Sequence, residues 1–163
     1  MVSVVLFQPQ IPPNTGNIAR TCAATQTPLH LIGPLGFEIS DRYLKRAGLD
    51  YWPAVDLHQH PSWEDFQQTF SPTLNTPSSR LIGFTTRGEH NYTHFTFQPS
   101  DRLLFGRETS GLPESVLDAC TETVFIPIDY SHVRSLNLSV SVAVALFEAR
   151  RQLGLLNTGA KIG

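Results

Sequence analysis

The chain has 163 residues, of which 40% are hydrophobic and 16% charged, a composition typical of one globular domain with a substantial core. Its formal net charge is −2, which excludes a broadly basic surface for coating nucleic acid, so any contact with RNA must be local. No apolar run approaches the roughly 18 residues that span a bilayer, and the strand-like start lacks the features of a signal peptide, so we expect a cytoplasmic protein without a membrane anchor.

Strand-like runs alternate with helix-like stretches along the chain. The predicted strands are 3–7, 29–32, 54–57, 80–85, 103–105 and 123–126. The predicted helices are 17–26, 40–47, one that opens at 62–65, 113–119 and 138–153. This alternation predicts an α/β fold with a mostly parallel sheet flanked by helices. We expect one domain over residues 1–154 and a C-terminal tail over 155–163.

The last predicted helix, 138–153, is apolar almost all round in its first half. Val140, Val144 and Phe147 extend the apolar surface beyond a single stripe. A helix of this kind is buried on more than one side. We therefore expect it to pack against both the sheet and a second copy of the chain in a homodimer.

Three short polar segments, residues 12–20, 105–113 and 135–139, stand where a predicted strand gives way to a helix. Open α/β sheets bind their ligands at this end of the strands. Taken singly, each segment has a simpler explanation: a capped helix with a surface arginine, a tight turn, and a helix cap. Their occurrence together points to an enzyme that uses a cofactor.

The first polar segment suits an anionic ligand. Asn14 or Thr15 is predicted to cap the following helix, with Arg20 on its first or second turn. The free N–H groups of a first helical turn attract groups such as phosphate. A second basic cluster lies on one face of the predicted helix 40–47, where it is either a solvated face or a contact for a polyanion: Arg42, Lys45 and Arg46.

The other two polar segments suit a ligand held by backbone groups. Gly106 and Gly111 let the chain approach a ligand closely, and Glu108 lies between them. Ser135 or Asn137 is predicted to cap the last helix, which leaves the remaining hydroxyl groups of that segment to face a ligand.

Other chemistries find little support. No G-x-G-x-x-G follows the first strand and no G-x-S-x-G occurs. His58 and His60 have a spacing found in metal sites, but no nearby Cys or carboxylate pattern completes one, so no metal is expected. Cys22 and Cys120 are far apart and are predicted to be small buried thiols.

Together the three segments resemble motifs one, two and three of the SPOUT methyltransferases, the α/β-knot class that uses S-adenosylmethionine. Within that class the chain is most similar to the small tRNA 2′-O-methyltransferases that modify the wobble nucleotide of leucine tRNAs. The stretches 7–17, 46–51 and 148–154 resemble the same subfamily, so the similarity covers nearly the whole chain.

The resemblance implies a SPOUT fold with a deep C-terminal trefoil knot, a homodimer, and S-adenosylmethionine bound in the knot. It implies a set of cofactor-binding residues: Phe84, Gly106, Glu108, Ile126, Ser135 and Leu136. With the basic cluster of the predicted helix 40–47 included, the predicted RNA-binding residues are Asn14, Arg20, Arg42, Lys45, Arg46 and Arg134. By the same resemblance Arg20 is the catalytic residue, and because arginine is not deprotonated in proteins we expect it to hold a phosphate and stabilise the developing alkoxide.

The function implied by the resemblance is 2′-O-methylation of nucleotide 34, a cytidine or modified uridine, in the anticodon stem-loop of tRNA. Two alternatives stay open. One is a ribosomal RNA 2′-O-methyltransferase, which the similarity of residues 46–51 disfavours. The other is a knotted dimer that binds RNA or cofactor without turnover, which is disfavoured by the joint presence of five residues: Asn14, Arg20, Glu108, Ser135 and Asn137.

Overall fold

A seven-stranded sheet, parallel throughout, forms the centre of the protein in a computed structural model that describes residues 1–39, 51–70 and 79–156. The strands are β1 Ser3–Phe7, β2 Leu29–Ile32, β3 Leu57–His60, β4 Leu81–Phe84, β5 His90–Asn91, β6 Arg102–Phe105 and β7 Glu122–Phe125. Their order across the sheet is β3-β2-β1-β6-β4-β7-β5, and each neighbouring pair is parallel. The predicted α/β fold with a parallel sheet is confirmed.

Helices cover both faces of the sheet. They are α1 Pro12–Thr25, α2 Trp63–Phe70, α3 Glu114–Leu117 and α4 Leu138–Gln152, with a short 3-10 turn at Trp52–Ala54. Alternate residues of β1 point to opposite faces. Val4 and Leu6 therefore join the larger core beneath α1 and α4, while Val5 and Phe7 join the smaller core around Phe66 of α2. Burial on both faces explains why the central strands are continuous apolar runs.

Two predicted elements have a boundary that is wrong by three or more residues. The third strand runs over Leu57–His60 rather than 54–57, because residues 52–54 form a 3-10 turn in which the N–H groups of Ala54 and Val55 bond back to Tyr51 and Trp52. Helix α1 begins at Pro12, five residues before the predicted start, with Pro at its first positions. The predicted helix 40–47, with Arg42, Lys45 and Arg46, lies outside the described residues, as does the tail beyond residue 156.

Helix α4 buries one face and exposes apolar residues on another. Its buried stripe packs on the sheet and on α1: Leu138, Val142, Ala145, Leu146 and Ala149. Val140 and Phe147 keep 47% and 43% of their surface exposed. Within the described part of the chain, no helix combines the length and hydropathy needed to cross a membrane. The homodimer and the trefoil knot stay predictions.

Candidate active site

A cleft of about 570 Å³ lies at the carboxyl ends of β4, β6 and β7, a volume in the range of small-molecule sites. Three loops line it, one after each of these strands, together with the start of α1. Eight of the residues proposed from the sequence lie in its lining: Asn14, Phe84, Gly106, Glu108, Ile126, Arg134, Ser135 and Leu136. The three polar segments therefore contribute to one site.

The loop after β6 folds back on itself at the cleft. Arg107 and Gly111 exchange two backbone hydrogen bonds, with N···O distances of 3.1 and 2.9 Å. A Cβ atom on Gly106 would lie 2.2 Å from the carbonyl carbon of Gly111 and 2.3 Å from the nitrogen of Leu112, so a larger residue cannot occupy this position without moving the loop. Gly111 has a φ of +69°, which favours glycine.

Glu108 joins this loop to the start of α1. Its carboxylate accepts hydrogen bonds from the backbone N–H groups of Gln10 and Ile11 at 2.8 and 3.0 Å. The side chain of Asn14 also donates to it at 3.4 Å. The N-cap of α1 is Ile11, which has no side-chain cap of its own. The prediction that Asn14 or Thr15 caps α1 is wrong, because both lie inside the helix and a carboxylate from a distant loop supplies the acceptors.

Asn14 extends the connection to the third segment. Its side-chain oxygen accepts a hydrogen bond from Asn137 at 3.0 Å. The Asn137 oxygen accepts from the backbone N–H of Ser139 at 2.9 Å and caps α4, which confirms Asn137 as the cap. We call this chain of contacts the Glu108–Asn14–Asn137 relay. It fixes the relative positions of the loop after β6, the start of α1 and the start of α4.

Further contacts dock the loop after β6 along residues 7–11. The Arg107 guanidinium donates two hydrogen bonds to the side-chain oxygen of Gln8 and lies 5.2 Å from the centre of the Phe7 ring. Thr109 donates to the side-chain oxygen of Gln10 at 2.7 Å. The sequence does not predict these contacts, because they join residues about a hundred positions apart.

The cleft is locally basic although the whole protein is slightly acidic. Three arginines line it, Arg87, Arg107 and Arg134, out of 12 Lys and Arg in the chain. Glu108 is the one acidic residue among the described residues of the lining, and the relay already engages its oxygens. Arg87 was missed, although polar residues 85–87 follow the buried strand β4 just as the predicted segments follow theirs.

Arg20 lies outside the cleft of its own chain. It is the ninth residue of α1, past the predicted first or second turn, because the helix starts at Pro12. Its exposed guanidinium lies 5.3 Å from the centre of the Tyr51 ring, and the Tyr51 hydroxyl donates to the backbone oxygen of Gly16 at 2.7 Å. Arg20 is absent from the described lining of the cleft.

Burial makes both cysteines poor nucleophiles. It raises the pKa of Cys22 to about 12, and it raises the pKa of Cys120 to about 12 as well. A thiol with such a pKa holds its proton at neutral pH and cannot attack as a thiolate. Cys22 is buried and Cys120 half-buried, so the prediction of two small buried thiols is confirmed in the main.

A histidine cluster lies on β2 and β3, away from the cleft. His30 stands opposite His58, with ring centres 4.6 Å apart, and its Nδ1 is 3.0 Å from Nε2 of His60. Burial, reinforced by the positive charges of His58 and Arg102, lowers the pKa of His30 to about 3.

We expect this cluster to destabilise the fold in acid. The unfolded chain binds a proton at His30 near pH 6.5, whereas the folded chain does so only near 3. Above about pH 6.5 His30 is neutral in both states and does not lower the free energy of unfolding. Below that pH the free energy of unfolding falls by up to about 1.4 kcal/mol per pH unit, because only the unfolded chain takes up the proton. Urea unfolding at pH 7.5, 6 and 5 measures this slope. His30→Phe should reduce this slope, whereas His132→Gln, which changes an exposed histidine, should leave it as in the wild type. Equal slopes in the wild type and both variants would contradict the assignment of the acid sensitivity to His30.

Known proteins resemble this chain over nearly its whole length. The SpoU rRNA Methylase family matches residues 1–147. A Yersinia pestis protein named tRNA (cytidine(34)-2'-O)-methyltransferase is 46% identical over 156 residues, covering 94% of this chain and 95% of the relative. A solved structure described as giving structural insights into the 2-OH methylation of C/U34 on tRNA has 50% identity and a TM-score of 0.86, covering 94% of this chain and 97% of that one. The SpoU methyltransferase AviRb from Streptomyces viridochromogenes, solved in complex with the cofactor AdoMet, has 25% identity and a TM-score of 0.84, covering 98% of this chain and 59% of that one.

Proposed function

Because this chain belongs to the SpoU rRNA methylase family, we propose that it transfers a methyl group from S-adenosylmethionine to the ribose 2′-hydroxyl of nucleotide 34 in tRNA, a cytidine or modified uridine. The observation that carries the proposal is the convergence of the three polar segments on one cleft through the Glu108–Asn14–Asn137 relay. The Yersinia relative and the solved structure with 50% identity concern the same reaction and cover more than nine-tenths of the chain. We further propose that the substrates are leucine tRNAs and that the protein acts in the cytoplasm.

The residues of the cleft fit S-adenosylmethionine. Its lining combines apolar side chains suited to an adenine ring with polar residues of three loops, and the tight turn at Gly106 lies in this lining. We propose that the cofactor is held by Phe84, Gly106, Ile126, Ser135 and Leu136. Glu108 contributes to this site by holding the residues that lead into α1, since its two carboxylate oxygens accept from the backbone N–H groups of Gln10 and Ile11. When bound, the cofactor supplies an activated methyl group on a sulfonium centre.

We expect Gly106→Ala to weaken binding of S-adenosylhomocysteine by more than about tenfold, because relieving the overlap with Gly111 and Leu112 displaces the loop. Isothermal titration calorimetry measures this affinity. Gly154→Asn is the matched control, since its Cβ meets nothing within 4 Å, Asn tolerates its φ of +72°, and the residue lies outside the cleft lining. Equal affinity in Gly106→Ala and the wild type would contradict the proposed site.

The chain's own residues mainly bind and orient the two substrates. Methyl transfer to a hydroxyl is an in-line displacement, and orientation alone lowers such barriers by roughly 7–11 kcal/mol. Arg134 contacts the RNA at the cleft, and Arg20 holds a phosphate and stabilises the developing alkoxide. Asn14, predicted as an RNA contact, is buried with its side chain bonded to Glu108 and Asn137, so it supports this site through the relay. The proton of the 2′-hydroxyl passes to that phosphate or to water, because arginine does not give up its own proton. Arg42, Lys45 and Arg46 are proposed as further RNA contacts.

We propose a homodimer formed through α4. Val140 and Phe147 are exposed on this helix, whose first residues, Leu138 and Ser141, line the cleft. An interface here would run beside the cleft, and α1 packs on α4, so Arg20 of one copy would act on RNA bound in the cleft of the other. Light scattering of the purified protein measures the oligomeric state.

Nucleoside mass spectrometry tests the reaction. A tRNA pool is incubated with the protein and S-adenosylmethionine, and is then digested to nucleosides to measure the methylation and to oligonucleotides to locate it. We expect 2′-O-methylated cytidine or uridine at the wobble position. Methylation of ribosomal RNA in place of tRNA would support the ribosomal alternative. An absence of methylation in any RNA, with S-adenosylhomocysteine still bound, would support a binding protein without turnover.

A further inference from the structure

The loop between β7 and the third polar segment exposes apolar surface beside the cleft. We call residues 127–134 the rim loop. Its side chains Tyr130 and Val133 are 53% and 49% exposed. Ile128 and Arg134, on either side of them, line the cleft. Exposed apolar groups next to a ligand site are often contacts for the ligand.

Tyr130 is held at the mouth of the cleft. Its hydroxyl donates a hydrogen bond to the backbone oxygen of Thr86 at 3.2 Å. Thr86 belongs to the loop after β4 and itself lines the cleft, so this contact links two sides of the mouth. At the base of the rim loop, the Asp129 carboxylate accepts from the backbone N–H of Ser131 at 2.9 Å. The ring is thus placed before any ligand arrives, while half of its surface faces solvent.

The charges around Tyr130 suit a nucleotide. Arg134 lies at the end of the same loop, and Arg87 follows Thr86 directly; both line the cleft. Arg87 is 3.6 Å from Glu114 across an ion pair in which both side chains are about three-quarters exposed, a contact too weak to withhold the guanidinium from a phosphate. An aromatic face flanked by arginines is the usual means of holding an unstacked base together with its phosphate.

We propose that Tyr130 stacks on the base of the nucleotide whose 2′-hydroxyl is methylated, with Arg134 pairing with its phosphate. This inference rests on the proposed function. A ribose that enters the cleft draws its base out of the stack of the anticodon loop, and the Tyr130 ring replaces the stacking that is lost. Tyr130 is therefore a substrate-binding residue that selects for an unstacked nucleotide, a role separate from cofactor binding.

The test uses an anticodon stem-loop with a wobble cytidine. We expect Tyr130→Ala to lower kcat/KM for this RNA by about 5- to 100-fold, mainly through KM. Its affinity for S-adenosylhomocysteine should stay within about twofold of wild type, because Tyr130 is not a cofactor contact. Tyr130→Phe keeps the ring and should retain activity within about threefold. Leu156→Ala, which removes an exposed leucine outside the cleft lining, is the matched control.

A fluorescent reporter makes stacking visible without turnover. With pyrrolo-cytidine at position 34, binding to the wild type and to Tyr130→Phe should quench the fluorescence, and binding to Tyr130→Ala should not. Equal quenching in all three proteins, or an unchanged KM in Tyr130→Ala, would overturn the proposal. So would a monomeric Tyr130→Ala in light scattering, since the ring would then serve a contact between copies. If the wild type quenches but methylates no RNA, the proposed function fails while the stacking site stands.

Discussion

Arg20→Ala should lower kcat for tRNA methylation by about 100- to 1000-fold, the usual cost of removing one group that stabilises a developing oxyanion. The affinity for S-adenosylhomocysteine should stay within about twofold of wild type, because Arg20 lies outside the described lining of the cleft. Its side chain is exposed on α1 and touches the Tyr51 ring, so little of the fold depends on it. Single-turnover kinetics and calorimetry measure the two quantities separately.

Arg151→Ala is the matched control for this substitution. Arg151 is also an exposed arginine on a helix, but it pairs with Glu148 at 2.8 Å on α4 and lies outside the cleft lining. We expect it to leave turnover unchanged. Arg20→Lys keeps the charge without the planar fork of guanidinium donors, and its activity should fall between those of wild type and Arg20→Ala. A collapse of S-adenosylhomocysteine affinity in Arg20→Ala would instead show that Arg20 is structural.

Mixed dimers locate the cleft that Arg20 serves. A chain carrying Arg20→Ala retains an intact cofactor site, and a chain carrying Gly106→Ala retains its arginine. If Arg20 acts across the interface, a randomly mixed population of the two inactive proteins should recover about a quarter of wild-type activity, since half of the dimers then hold one complete site. If Arg20 acts within its own chain, mixing should recover no activity.

The local features of this fold could be predicted from the sequence. β1 and β2 match their predicted bounds, Ser3–Phe7 and Leu29–Ile32, because a strand buried on both faces is a continuous apolar run that polar or turn residues interrupt. Gly106 was predicted to let the backbone approach a ligand closely, which stays a prediction; the structure shows in addition that a Cβ at this position would overlap Gly111 and Leu112. These are properties that each segment carries within its own few residues.

The non-local features could not be predicted. The residues leading into α1 are held by the Glu108 carboxylate, which lies 97 positions from Ile11, and no local sequence pattern predicts this acceptor. The misplaced start in turn misplaced Arg20 by more than a turn and gave Asn14 a capping role that it does not have. Tyr130 was overlooked because its significance comes from the contact with Thr86, 44 positions away.

Glu108→Gln should impair binding, turnover and stability together, unlike Arg20→Ala. The carboxylate offers two acceptor oxygens to two backbone N–H groups, of Gln10 and Ile11. Glutamine offers one oxygen and turns an NH2 group toward the other N–H, which loses a hydrogen bond and leaves a donor facing a donor. We expect the free energy of unfolding to fall by about 1–2 kcal/mol. Methyl transfer should fall by about 100-fold, because small displacements of positioning elements cost this much.

Urea unfolding and methylation of an anticodon stem-loop measure these effects, with Glu64→Gln, an exposed acid on α2, as the control expected to behave as wild type. The relay also predicts non-additivity. Asn14 accepts from Asn137 and donates to Glu108, so Asn14→Ala in a Glu108→Gln background should cost much less than Asn14→Ala alone. Additive costs would mean that the two residues act independently. The three polar segments would then line one cleft, but the relay would not fix their relative positions.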